Sequence, residues 1–161
     1  MGEIIKVGMA DLKTCIAPKI LTTLGLGSCV GIVLYDPSKK IGGLAHIMLP
    51  DSTQIRNNSN KAKFADTAIE VMMNKMIKMG ASKNNLVAKL AGGAQMFAFS
   101  SQNDLMRIGE RNVEASKKIL RVLKIRIISE DTGKNYGRTI EFNSENGDML
   151  IKTIGKEPKI I

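Results

Sequence analysis

Cys29-Val30-Gly31-Ile32-Val33-Leu34-Tyr35-Asp36-Pro37-Ser38-Lys39-Lys40-Ile41-Gly42-Gly43-Leu44-Ala45-His46-Ile47-Met48-Leu49 holds two apolar runs on either side of a short polar link. Val, Ile, Leu and Tyr suit a pleated, buried surface, and Asp36-Pro37-Ser38-Lys39-Lys40 is turn chemistry. A link this short cannot carry the crossover of a dozen residues that parallel strands require. Cys29–Tyr35 and Ile41–Leu49 are therefore expected to form an antiparallel hairpin. In such a hairpin opposed residues have a constant sum of residue numbers and share a face. A sum of 75 sets Cys29 against His46, and sums of 73 or 77 make them diagonal neighbours on one face. An even sum sends them to opposite faces. The sequence leaves that parity open.

Working outward, Ile4–Met9 and Thr14–Thr23, the latter interrupted at Pro18, read as strands before the hairpin. Pro50–Lys63 after it is a long polar loop, of the kind that tends to carry function. Ala65, Ala68, Ile69, Met72, Met73, Met76 and Ile77 repeat at the spacing of one buried helix face over residues 64–80, and Gly80 stands where a C-terminal cap belongs. Its methionines are adaptable packing residues. A strand is expected at Leu86–Leu90, then the loop Ala91–Phe99, then a helix over 109–124 that buries Val113, Ile119, Leu120 and Leu123. Lys117, Lys118, Arg121 and Lys124 decorate its outer face and favour its C-terminal end. Strands return at 125–129, 136–143 and 149–154, the last two joined by Asn146-Gly147-Asp148. With only two principal helices a purely parallel doubly wound sheet is not expected, and the pattern reads as an α/β fold with mostly antiparallel or mixed sheet.

The 161 residues suit a single domain over 1–161, and a chain 43% hydrophobic and 24% charged is expected to fold by itself. No stretch is long and apolar enough for a bilayer span, and Met1–Lys6 lacks the features of a signal peptide, so the expected location is cytoplasmic without membrane insertion. A net charge of +9 raises nucleic-acid binding, but Trp is absent, Tyr and Phe are few, and no basic block of five occurs. No nucleic-acid partner is expected. Attraction to an acidic protein surface fits the charge better.

Chemistry at neutral pH has one imidazole to use, His46. Cys15 lies in an apolar segment and reads as packing. Cys29 differs, because it follows Gly25-Leu26-Gly27-Ser28. Gly27 permits close approach of a ligand, and a tight bend at Gly27 and Ser28 offers backbone N–H groups near the sulfur as an oxyanion site. The phosphate-loop lysine is missing, and a lone His makes a poor zinc site, so neither a cofactor nor a metal is expected.

Thr23-Leu24-Gly25-Leu26-Gly27-Ser28-Cys29-Val30, Ala45-His46-Ile47-Met48-Leu49-Pro50-Asp51-Ser52, Ala91-Gly92-Gly93-Ala94-Gln95-Met96-Phe97, Ile108-Gly109-Glu110-Arg111-Asn112 and Glu130-Asp131-Thr132-Gly133 occur in this order along almost the whole chain. Together they resemble the CheD family of chemoreceptor glutamine deamidases. The resemblance implies a three-layer α/β sandwich like the deamidase domains of the necrotising toxins. It also implies Cys29 as nucleophile, His46 as base and Thr23 as third member of the site. The substrates implied are glutamines on chemoreceptor cytoplasmic domains, with glutamyl methyl ester hydrolysis as a second reaction. An alternative the family offers is a non-catalytic adaptor that binds receptors and a CheC-type response-regulator phosphatase, with Met96, Phe97 and Phe99 as candidate contacts. One departure stands out: the resemblance leads us to expect a second glycine after Gly133, and this chain has Lys134.

Overall fold

The computed structural model describes residues 2–96 and 107–161. Among the described residues ten strands form two five-stranded mixed sheets. The first contains β1 (Ile4–Lys6), β3 (Ile20–Leu26), β8 (Arg138–Asn143), β9 (Met149–Lys152) and β10 (Lys159–Ile160), in that order. The second runs β2 (Asp11–Ile16), β5 (Ile41–Ile47), β4 (Val30–Asp36), β6 (Val87–Gly92) and β7 (Arg126–Thr132). Among the strands of the described residues, only β1 with β3 and β6 with β7 pair in parallel. The β6–β7 pair needs a crossover, and α2 (Ile108–Val122) lies in it. α1 (Ala65–Lys78) follows the polar loop.

The expected hairpin forms as β4 and β5, and every residue of both strands is buried. Their near-continuous apolar runs suit strands covered on both faces. Val30, Ile32, Leu34, Ala45 and Ile47 pack with Ala65, Ile69, Met72 and Met76 of α1. The alternate set, Cys29, Val33, Tyr35 and Leu44, packs with Leu21, Leu26, Ile140 and Phe142 of the first sheet. The layers are thus helices, second sheet and first sheet, with a core on each side of the middle layer.

Several bounds differ from the sequence reading. The segment around Pro18 divides into strands of two different sheets, β2 and β3, because proline cannot donate to a ladder. The first strand ends at Lys6, β6 continues to Gly92, and β10 carries no alternating signal in its two residues. α1 ends in the expected cap: Gly80 has φ 115°, with Gly80 N–H on the Ile77 carbonyl and Ala81 N–H on that of Met76. α2 departs more. Its buried residues are Gly109, Asn112, Ser116 and Leu120, while Val113, Ile119 and Leu123 are only partly buried. A close approach explains this, since a Cβ on Gly109 would stand 2.3 Å from the Ala94 carbonyl oxygen.

Among the described residues no helix is long and apolar enough to cross a membrane.

Candidate active site

Val30 pairs with Ile47 and Gly31 with His46, so paired numbers sum to 77, one of the odd registers. His46 therefore points toward the first sheet together with Gly31 and Val33, and Cys29, one residue before β4, shares their phase. Thr23 comes from β3 across the gap between the sheets and is 1% exposed, as is His46. The structure thus brings Cys29, His46 and Thr23 into one region, whereas Cys15 lies buried elsewhere between the sheets.

The hydrogen bonds fix the imidazole's protonation pattern. Thr23 Oγ1 donates to the Val7 carbonyl at 2.7 Å and stands 2.7 Å from His46 Nδ1. A hydroxyl has one proton, so toward His46 it is an acceptor and Nδ1 carries the hydrogen. Nε2 is left with a lone pair. It is buried without a hydrogen-bond partner among the described residues, so Cys29 Sγ does not yet engage it. Burial holds the imidazole below the usual histidine range and pushes the Cys29 thiol up, the second effect partly offset by the Cys29 backbone N–H. The resting pair is a thiol and a neutral imidazole.

Three successive carbonyls hold the loop that carries Cys29. The Gly27 carbonyl accepts from Ala94 N–H at 2.8 Å and that of Cys29 from Gly93 N–H at 2.8 Å. The Ser28 carbonyl between them accepts from Asn112 Nδ2 at 2.9 Å. Gly92 lies against this loop at φ 107°, where a Cβ would come 2.3 Å from the Cys29 carbonyl oxygen. The tight bend corrects one expectation: Gly27 N–H turns back to the Gly25 carbonyl at 3.0 Å and is engaged. Among the described residues Ser28 N–H has no acceptor, and Cys29 N–H lies by its own sulfur. Of the candidate donors between Gly27 and Cys29, the N–H groups of Ser28 and Cys29 are therefore the ones left for an incoming oxygen.

A buried ion pair stands behind Gly92. Arg138 Nε meets Asp131 Oδ2 at 3.1 Å, Lys159 Nζ meets Asp131 Oδ1 at 3.1 Å, and Arg138 Nη1 reaches the Gly92 carbonyl at 3.4 Å. Burial works against the Asp131 charge, but hydrogen bonds from Lys159 and Arg138 outweigh it and hold the carboxyl below its usual range.

Met96 is exposed and borders Gly27, whose Cβ would lie 3.3 Å from Met96 Cγ. Phe97 and Phe99 lie outside the described residues. Lys117 of the basic helix face is paired with Glu130 at 3.0 Å. Among the described residues no group of three or more His, Cys, Asp or Glu is placed to hold a metal ion. Asn112 is the residue whose place in the site sequence reasoning missed. It occupies a buried helix position between Gly109 and Ser116, a periodicity that a search for apolar side chains passes over.

Residues 48–153 match the family described as CheD chemotactic sensory transduction. A probable chemoreceptor glutamine deamidase CheD of Lachnoclostridium phytofermentans is 63% identical over 161 residues, 100% of both chains. This chain belongs to the CheD family. A probable chemoreceptor glutamine deamidase CheD of Caldanaerobacter subterraneus is 60% identical over 160 residues, 99% of each chain. The chemoreceptor glutamine deamidase CheD of Halalkalibacterium halodurans is 54% identical over 162 residues, 100% of each. Among solved structures, the Bacillus licheniformis hypothetical protein YfiH aligns with TM-score 0.49 and 14% identity, covering 81% of this chain and 59% of that one. So slight a likeness carries no argument about fold or activity. The CheD family match begins beyond His46 and does not bear on Thr23, Cys29 or His46.

Proposed function

We propose that this chain hydrolyses glutamine side chains of chemotaxis receptors to glutamate, releasing ammonia, through a thioester on Cys29. The observation that carries the reading is the imidazole of His46, held by Thr23 so that Nε2 offers a lone pair on the face Cys29 shares.

A carboxamide is a poor electrophile, and a thiolate divides its hydrolysis into two easier steps. His46 Nε2 takes the Cys29 Sγ proton as sulfur attacks the side-chain carbonyl carbon. The negative oxygen of the tetrahedral intermediate is received by backbone N–H groups of Ser28 and Cys29. The C–N bond then breaks, and the proton on Nε2 passes to the departing nitrogen, leaving ammonia and an acyl-Cys29. Water gives a proton to Nε2 and its oxygen to the acyl carbon, and the C–S bond breaks as that proton returns to sulfur. Thr23 keeps Nδ1 protonated throughout, as an orienting acceptor does in related triads. Each turnover places one new negative charge on a receptor helix, which biases the signalling equilibrium of a helical bundle. A glutamyl methyl ester fits the same chemistry as a second substrate.

A second reading makes the chain an adaptor that binds receptors and a CheC-type phosphatase. The exposed Leu24, Met96 and Ile154 and the charge of +9 favour a binding surface. Incubation with a receptor cytoplasmic fragment distinguishes them. Deamidation raises the fragment's mass by about one unit per site with matching ammonia, and Cys29→Ala abolishes both. Capture of the fragment without either change leaves the adaptor reading.

A further inference from the structure

Asn112 is 0% exposed and sends both protons of its side-chain amide to main-chain carbonyls on either side of the site. Nδ2 reaches the Ser28 carbonyl at 2.9 Å and the Met48 carbonyl at 3.0 Å. Ser28 directly precedes Cys29, and Met48 follows the strand that carries His46. The β4–β5 ladder stops at Val30 and Ile47, just where these two segments begin, so the carboxamide supplies the link that the ladder no longer makes.

The amide's orientation is unambiguous. Turning it over would set Oδ1 against two carbonyl oxygens, with no proton between them. In the orientation present, Oδ1 is buried without a partner among the described residues, a cost accepted while both donors are used. A trans peptide points its carbonyl and its N–H in opposite directions. Holding the Ser28 carbonyl therefore aims the N–H of Cys29, the group placed above at the oxyanion. We propose that Asn112 is a positioning residue for the deamidation, setting the Ser28–Cys29 peptide and tying it to the His46 strand through Met48. This rests on the Cys29 reading, because without a nucleophile at Cys29 the peptide needs no aim.

The test compares ammonia release from a receptor fragment by wild type, Asn112→Ala, the near-isosteric Asn112→Asp, Cys29→Ala and Ser116→Ala. Ser116 serves as the control, since it is buried one turn along the same helix and among the described residues its hydroxyl bonds only the Asn112 carbonyl. Misplacing reacting groups by about 1 Å costs on the order of a hundredfold in rate. Asn112→Ala and Asn112→Asp are expected to lose about that much kcat with KM within about twofold, while Ser116→Ala stays within about twofold of wild-type kcat. The inference is overturned if either Asn112 variant, folded by circular dichroism, keeps wild-type kcat while Cys29→Ala is inactive. It is overturned equally if Ser116→Ala loses as much kcat at the same loss of Tm, which makes the effect one of helix packing. Should Asn112→Ala not fold, Asn112→Asp decides by the same criterion. Wild-type turnover by Cys29→Ala removes the nucleophile reading, and this inference with it.

Discussion

Thr23 Oγ1 lies 2.7 Å from His46 Nδ1 and gives its own proton to the Val7 carbonyl, so this hydroxyl accepts from the imidazole and determines which ring nitrogen is basic. The relation joins the two sheets, because Thr23 belongs to β3 and His46 to β5. Thr23→Val keeps the shape and removes the hydroxyl. Activity is expected to fall on the order of ten- to a thousandfold, as for loss of an orienting group. Two buried polar partners are left unpaired, at about 1–3 kcal/mol of stability for each. Thr23→Ser restores the hydroxyl and is expected to recover most of the rate. Equal rates for Thr23→Val and wild type contradict the orienting role.

A second expectation concerns pH. Burial holds His46 below its ordinary value of 6.5, so the base stays neutral through pH 7 and the acid limb of kcat/KM falls below pH 6.5. The sign for stability follows from proton counts. Below pH 6.5 the unfolded chain protonates this histidine while the folded protein resists, so stability drops as pH falls from 6.5 toward the depressed folded value. His46→Gln removes that component, leaving only the decline due to carboxylates, which chemical denaturation between pH 7 and 5 measures. The Cys29 thiol is pushed above its ordinary value of 9.0, so its alkylation rate is expected to climb through pH 9 without a plateau near neutrality. A plateau near pH 6 indicates a preformed thiolate instead.

Much of this was readable in the residues themselves. The short link at Asp36–Lys40 dictated the hairpin, and the Met-rich face dictated α1, because each is a local property of spacing. The parity that places His46 and Cys29 on one face was not readable. Register is set by the turn together with burial on two sides, and strands buried on both faces have no polar alternation to reveal it. The place of Asn112 was hidden for a related reason: its buried donors satisfy main-chain carbonyls distant in sequence. The engagement of Gly27 N–H likewise depends on the particular bend at Gly25, whose φ is 73°.

The buried pair of Arg138 and Asp131 supports Gly92 and, through it, the Cys29 loop. The Arg138 side chain is 0% exposed and that of Asp131 9%. Removing one charge from a buried pair leaves the other uncompensated, and Asp131→Asn is expected to destabilise the fold by about 3–5 kcal/mol. Urea denaturation gives the value. A loss under about 1 kcal/mol shows that water reaches Arg138 and that the pair does not brace the loop.

Lys134 follows Gly133 with φ 64°, where a side chain is disfavoured and Gly is at ease. The lysine that stands where the resemblance led us to expect a glycine thus falls on a left-handed backbone. Lys134→Gly is expected to raise stability by up to about 1 kcal/mol, the relief of strain exceeding the added freedom of the unfolded chain. Thermal unfolding checks it, and a lower Tm shows that Lys134 contributes through contacts not captured by its backbone.

The most demanding expectation is that Cys29 and His46 act as a unit. Groups that share a transition state lose activity non-additively. Cys29→Ala abolishes turnover and His46→Ala comes close to it, yet the double variant is hardly worse than Cys29→Ala, since a base without its nucleophile has nothing to activate. Both side chains are buried and add little area to a docking surface, so receptor capture is expected to survive all three variants. Ammonia release and receptor pull-down, measured on the same preparations, separate the two activities. If His46→Ala remains folded and deamidates at the wild-type rate, the unpartnered Nε2 accepts no proton in the reaction, and the mechanism drawn from its lone pair is wrong.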